Sequence, residues 1–140
     1  MRDFQSIDGT MIIGGVRASE IAKRFGTPVY VTDEERLREN FRKIDKAFND
    51  RMPTRIHYAL KANNNLTILR ILEQEGSCID AVSIGEVDLC IKAGFTPDRI
   101  LYTGTGVSTA ELKGLVKRKV PINIDSLSEM RRLAAIAPGY

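Results

Sequence analysis

The chain is predicted to be an α/β protein built from consecutive strand–helix units. Short apolar runs are followed by Ser or Thr and then, three residues later, by Glu, and this pattern occurs four times. Each Ser/Thr-x-x-Glu is a capping box, in which two otherwise unpaired amide donors at a helix start are satisfied reciprocally. Behind these boxes apolar residues recur at helical spacing. Regular strand–helix alternation is the rhythm of a parallel sheet.

The first unit opens with Val29-Tyr30-Val31, capped by Thr32 and Glu35, and Leu37, Phe41, Ile44 and Phe48 form its helical stripe. The second strand runs from Arg55 to Lys61, and Ile68, Leu69, Ile71 and Leu72 mark the helix after it. The third is Ile79 to Val82, with Ser83 and Glu86 as the box and Ile84, Val87 and Ile91 as the stripe. The fourth, Ile100-Leu101-Tyr102, precedes Ser108 and Glu111. The fifth, Ile122-Asn123-Ile124, precedes Ser126 and Glu129, with Leu127, Met130 and Leu133 behind them. Gly76 and Gly94 fall where a left-handed residue ends a helix. Pro97 and Pro121 fall in or beside connections, where a missing amide donor is tolerated.

Five units counted from Val29 close no standard barrel, since a (β/α)8 barrel takes about 250 residues. Two architectures stay open: a doubly wound sheet, or the first part of a barrel whose remainder is absent. The chain stops at Pro138-Gly139-Tyr140, directly after a helix and where a strand is due, so truncation is the expectation.

The bulk numbers bound the function. An apolar content of 43% and a charged content of 28% over 140 residues are those of a soluble globular domain. The net charge of +3 is mild, and Lys113, Lys117, Arg118 and Lys119 lack interleaved aromatics, as on a solvated helix face and unlike a nucleic-acid site. No apolar run reaches the roughly 20 residues that span a bilayer, and Met1-Arg2-Asp3 does not open a signal peptide. A cytoplasmic protein is expected, with no membrane or nucleic-acid partner. Cys78 and Cys90 lack metal-ligand spacing, so no metal site is expected and both read as buried, reduced thiols.

His57-Tyr58-Ala59-Leu60-Lys61-Ala62-Asn63 carries the chemistry. A lysine ending a strand delivers its amine to the rim of a sheet or barrel, where loops build active sites. As the free amine it attacks carbonyl compounds or pyridoxal 5′-phosphate (PLP). Strand alternation puts His57, Ala59 and Lys61 on one face, with Ile56, Tyr58 and Leu60 on the other. Ala59, just below the lysine, leaves room for a flat ring. His57, two rungs lower, reads as a satisfied core or barrel-floor histidine. Asp80 interrupts an apolar run, either as a counter-charge near the lysine or as a strand-start residue facing water. Glu86 completes the Ser83 box and starts a helix on the same rim. Tyr102-Thr103-Gly104-Thr105-Gly106 lacks the third glycine of a dinucleotide fingerprint and reads as a tight turn.

Taken together these residues resemble the fold-type III PLP-dependent decarboxylases, and among them the diaminopimelate decarboxylases most closely. The likeness runs from about Phe25 to Tyr140. It rests on Phe25-Gly26-Thr27-Pro28-Val29-Tyr30-Val31, Tyr58-Ala59-Leu60-Lys61-Ala62-Asn63 and Asp80-Ala81-Val82-Ser83-Ile84-Gly85-Glu86. Ala93-Gly94-Phe95 and Ile122-Asn123-Ile124-Asp125-Ser126 follow in the family's order. Where the family commonly has Gly-Gly-Glu, this chain has Ile84-Gly85-Glu86. Where it commonly has Gly-Asn-x-Lys-Ser/Thr, this chain has Gly104-Thr105-Gly106-Val107-Ser108.

The resemblance implies an incomplete (β/α)8 barrel of the TIM type, alanine-racemase-like, comprising about the first five βα units over residues 25–140. It implies that residues 1–24, chiefly those up to about Ser19, go with a second, β-rich domain that is absent. Lys61 becomes the catalytic residue that binds PLP covalently, with Asp80, Ala59 and Glu86 around the cofactor. The implied reaction is decarboxylation of meso-2,6-diaminopimelate to L-lysine. The alternatives are another amino-acid substrate (ornithine, arginine or carboxynorspermidine) or a non-catalytic PLP carrier. The family's ring-stacking histidine, phosphate loop, ring-nitrogen segment and partner-donated cysteine motif lie beyond these residues. The chain alone is therefore expected to be inactive, and the full-length protein to be a homodimer acting on a small amino acid.

Overall fold

The computed structural model describes residues 5–140, without the Gln5 side chain. Met1-Arg2-Asp3, read above for a leader, lies outside the described residues. The chain divides into two compact units, Met1–Ile44 and Asp45–Tyr140, so the sequence-based boundary at residue 24 falls inside the first.

The first unit contains strands β1 (Gln5–Ile7), β2 (Thr10–Ile13) and β3 (Val16–Arg17), helix α1 (Ala18–Phe25) and most of α2 (Glu34–Asn49). The three strands form one antiparallel sheet in the order β1-β2-β3. Its reversals fall on Asp8-Gly9 and Gly14-Gly15, all four at positive φ, a conformation that glycine adopts without steric cost.

Val29-Tyr30-Val31 corrects the sequence reading. It belongs to neither sheet, and Tyr30 is fully exposed. A strand exists only through a neighbour's hydrogen bonds. The cap of α2 is also one residue later than expected: Asp33, not Thr32, accepts the Arg36 amide through Oδ1 at 3.2 Å. Of the predicted α2 stripe only Phe41 is buried, while Ile44 and Phe48 stay about half exposed.

The second unit is the α/β body. Strands β4 (His57–Ala59), β5 (Cys78–Ala81) and β6 (Ile100–Tyr102) pair in parallel in chain order. Helices α3 (Leu66–Gln74), α4 (Ile84–Ala93), α5 (Thr109–Arg118) and α6 (Leu127–Ile136) alternate with them. Each helix packs on the next, and α4 lies against β5 and β6. The core is Leu60, Leu69, Ile79, Val87, Cys90, Ile100, Tyr102, Leu112, Leu115 and Val120, each at most 1% exposed.

The expected fifth strand shrinks to one bridge. Tyr102 donates to the Pro121 carbonyl (2.9 Å) and accepts from the Asn123 amide (2.8 Å), so that of this segment only Ile122 is bridged to β6. On α4 the buried side is Val87, Cys90 and Ala93, with Ile91 turned outward. On α6, Leu127 and Met130 are exposed, and Glu129 takes the buried place beside Leu133.

The caps match the sequence where they depend on near neighbours. Ser83, Ser108 and Ser126 each accept the amide of the Glu three residues on. Only Ser108 and Glu111 complete the reciprocal box. Gly94 ends α4 in the left-handed region. After α3, Gly76 at φ 87° lets the Ser77 amide return to the Leu72 carbonyl at 3.0 Å.

Arg99 ties the body together from the connection before β6. It donates to the carbonyls of Ser77 and Glu73, pairs with the Glu73 carboxylate at 2.9 Å and lies over the Phe95 ring. Cys78 and Cys90 are both buried, free thiols. Burial, then the charge of Glu86, pushes the Cys90 thiol up to about 12.

Candidate active site

The two faces of the parallel sheet differ sharply. Leu60, Ile79, Ala81 and Tyr102 point to the helix-covered side and are at most 1% exposed. On the other side Cys78 is buried, Ala59, Asp80, Leu101 and Thr103 are half-buried and His57 is exposed, as is Lys61 just past the end of β4. This open face ends at the carboxyl ends of the strands, the edge where α/β proteins bind ligands.

Lys61 reaches that edge differently from the expectation. Strand β4 stops at Ala59, and Lys61 sits in the 3-10 turn Leu60–Ala62. Leu60 anchors the turn by its burial, and the Asn63 amide closes it on the Leu60 carbonyl at 3.1 Å. The Tyr58 hydroxyl donates to the Asn63 carbonyl at 3.3 Å, while burial pushes that phenol above its ordinary pKa. Asn63 accepts the Asn65 amide, and Asn65 caps α3 through the Thr67 amide. The asparagines after the lysine thus close its turn and start the helix.

Asp80 stands beside Ala59 in the β4–β5 register, and Leu101 stands beside Asp80 in the β5–β6 register. The carboxylate is therefore in mid-strand, half-buried, and not at a strand start. Its Oδ1 accepts a short hydrogen bond from the Thr103 hydroxyl. His57 is exposed and not a core residue, because no described strand covers that face. Its Nδ1 donates to the Ile79 carbonyl at 3.2 Å, which sets the proton of the neutral ring on Nδ1.

Glu86 stands in the first turn of α4, directly after β5. Its carboxylate accepts the Val82 amide at 2.7 Å, closing the β5–α4 turn. The structure thus brings Ala59, Asp80 and the Lys61 turn to one edge, with one Glu86 oxygen on the Val82 amide. Gly104 is buried under Tyr102 and Gly106 has φ 65°, so this loop is a packed turn. Two contributors escaped the sequence reading: Tyr58, as a hydroxyl that fixes the turn, and Thr103. Thr103 was legible only as the residue that ends its apolar run, as Lys61 ends its own.

Fold and site together define a cofactor-binding α/β domain with a lysine amine at the carboxyl rim of a parallel sheet. A family model described as "Pyridoxal-dependent decarboxylase, pyridoxal binding domain" matches residues 34–140. The chain belongs to this family. It is similar to the diaminopimelate decarboxylase of Methanothermobacter thermautotrophicus, 51% identical over 131 residues, covering 93% of this chain and 31% of the relative. The enzyme of that name from Archaeoglobus fulgidus is 39% identical, with 96% and 31% covered. Among solved structures, the diaminopimelate decarboxylase of M. jannaschii in co-complex with L-lysine superposes with a TM-score of 0.89 at 30% identity. That match covers 96% of this chain and 32% of that one. The chain spans about a third of the length of the relatives it matches.

PLP is the cofactor of this domain, and the residues present fit it. Lys61 offers an exposed amine, and the methyl group of Ala59 leaves the strand face beneath it open. Asp80 supplies a fixed negative charge on the same row. Among the described residues no three His, Cys, Asp or Glu side chains converge as a metal site, and no helix is long and apolar enough to cross a membrane.

Proposed function

We propose that the protein carrying these residues decarboxylates meso-2,6-diaminopimelate to L-lysine with PLP, Lys61 being the residue that binds the cofactor covalently. The observation that carries this is the exposed Lys61 turn at the rim of an open sheet face. The 51% identity to a curated diaminopimelate decarboxylase supports the substrate.

When bound, PLP supplies an electron sink for the pair left behind by departing carbon dioxide. The chain's own residues prepare that chemistry. The Lys61 amine, on its closed turn, would hold PLP covalently. Ala59 keeps the strand face clear for the ring. Asp80 favours a positively charged nitrogen next to it through its own charge. Glu86, at the start of α4, closes its turn through one oxygen and belongs to the shell around the cofactor.

The same reading extends to architecture. The parallel sheet, its bridge to Ile122 and the alternating helices are taken as the opening units of a (β/α)8, alanine-racemase-like barrel. Residues 1–24 are taken as part of a second, β-rich domain, in keeping with their antiparallel sheet. A cytoplasmic homodimer follows from the family resemblance.

The test uses the full-length gene product. Borohydride reduction after PLP binding is expected to leave a single pyridoxyl adduct, mapped to the peptide with Lys61. Carbon dioxide release is expected from meso-diaminopimelate in preference to ornithine or arginine. An adduct on another lysine would remove Lys61 from its role, and preference for ornithine or arginine would overturn the substrate.

A further inference from the structure

We infer that Thr103 is a positioning residue for the cofactor site: its hydroxyl holds Asp80 so that one carboxylate oxygen is kept for a cation beside Lys61. This deepens the function proposed above and rests on it.

The sheet brings the pair together. Thr103 follows β6 directly, and its amide donates to the Ala81 carbonyl at 2.9 Å, so the β5–β6 pairing continues one residue past Tyr102. Strand alternation then puts the Thr103 side chain on the Leu101 face, and Leu101 is the register partner of Asp80. The hydroxyl arrives diagonally at Asp80 and donates to Oδ1. Threonine is β-branched and stiff about its first torsion, so a fixed backbone also fixes the hydroxyl.

The consequence falls on the other oxygen. A carboxylate rotates about its last bond with little preference between orientations. With Oδ1 committed to the β6 side, Oδ2 is the acceptor left for the β4 side. There Ala59 is the register partner of Asp80, and the Lys61 turn begins at the next residue. A negative charge held near a protonated nitrogen stabilises that charged form, whereas a freely rotating carboxylate does so less. Removal of the Thr103 hydroxyl should therefore mimic, in part, removal of the Asp80 charge.

The experiment follows the visible band of lysine-bound PLP in the full-length holoenzyme as a function of pH. Thr103→Val keeps the branched shape and loses the hydroxyl, Thr103→Ser keeps the hydroxyl, and Asp80→Asn removes the charge. Asp80→Asn is expected to weaken proton binding by the cofactor-linked nitrogen. Thr103→Val is expected to shift it in the same direction by about 3- to 10-fold. The double variant is expected to match Asp80→Asn alone, and Thr103→Ser to keep the parent profile. An unmoved profile in Thr103→Val, or a shift that adds fully to that of Asp80→Asn, would overturn the inference alone. If Thr103→Val does not fold, a shifted profile in Thr103→Ser would overturn it and a parent-like one supports it. No band in the unmodified protein would overturn the PLP reading, and this inference with it.

Discussion

Gly104 lies so close over Tyr102 that a β-carbon built on it would stand 2.6 Å from the phenol oxygen and 2.7 Å from two ring carbons. Tyr102 is 1% exposed and carries the bridge to Ile122, so its ring has little freedom to yield. Gly104→Ala is expected to destabilise the protein by roughly 1–3 kcal/mol through overpacking. Urea unfolding measures this, and an unchanged midpoint would show that the ring moves freely.

Lys119 ends α5 at φ 57° and ψ 36°, in the left-handed region, and its amide returns to Leu115 and Val116. A side chain there brings its β-carbon against a carbonyl at roughly 1–2 kcal/mol. Lys119→Gly is expected to recover about 1 kcal/mol of this as a higher thermal midpoint, and Lys119→Ala to recover none.

Glu129 is 1% exposed, and neither carboxylate oxygen has a hydrogen-bond donor. Burial, and next the neighbouring Asp125 carboxylate, raise its pKa, with Arg132 pulling the other way. A raised folded pKa means stability that is complete below the ordinary glutamate value of about 4.3 and is lost as pH rises through the folded one. Glu129→Gln is expected to flatten that slope and to exceed the parent at pH 8 by roughly 1–2 kcal/mol. Parallel urea titrations at pH 5 and pH 8 decide it, and equal losses in both proteins would contradict the assignment.

Arg118 and Asp88 make a forked pair between α5 and α4, at 2.6 and 2.9 Å. The hydrogen bond from Arg118 comes first in holding the Asp88 carboxyl below its usual range. A depressed pKa contributes stability above the unfolded aspartate value, lost as pH falls through the folded one. Because Asp88 is 53% exposed, water and salt screen the pair, and Asp88→Asn is expected to cost well under about 1 kcal/mol at pH 7. That cost should vanish in acid and shrink in 1 M salt, as read from thermal midpoints.

The sequence carried what depends on near neighbours. Ser83, Ser108 and Ser126 cap their helices as expected, because an N-cap needs only an amide three residues away. Val29-Tyr30-Val31 has the composition of a strand, but pairing is decided by a neighbour that composition does not name. Thr32 lost its cap to Asp33, one residue on, since both side chains suit the role. Glu129 matched a capping box in spacing, yet the packing of α6 buried its carboxyl. At the site, Lys61 and Asp80 were legible because each is a charged residue set into an apolar run. Thr103 was not, because its meaning lies in a contact with a residue 23 positions earlier.

The 3-10 turn that carries Lys61 is bonded separately from the sheet beside it. The ladder of β4 ends at Ala59, so opening this turn costs the closure from Asn63 to Leu60 and the clasp from Tyr58 and leaves the β4–β5 pairing intact. In the role proposed for Lys61, the turn that carries the amine can yield while the strand floor beside it keeps its register. In hydrogen exchange the Asn63 amide would open on a faster clock than the strand amides paired across β4 and β5.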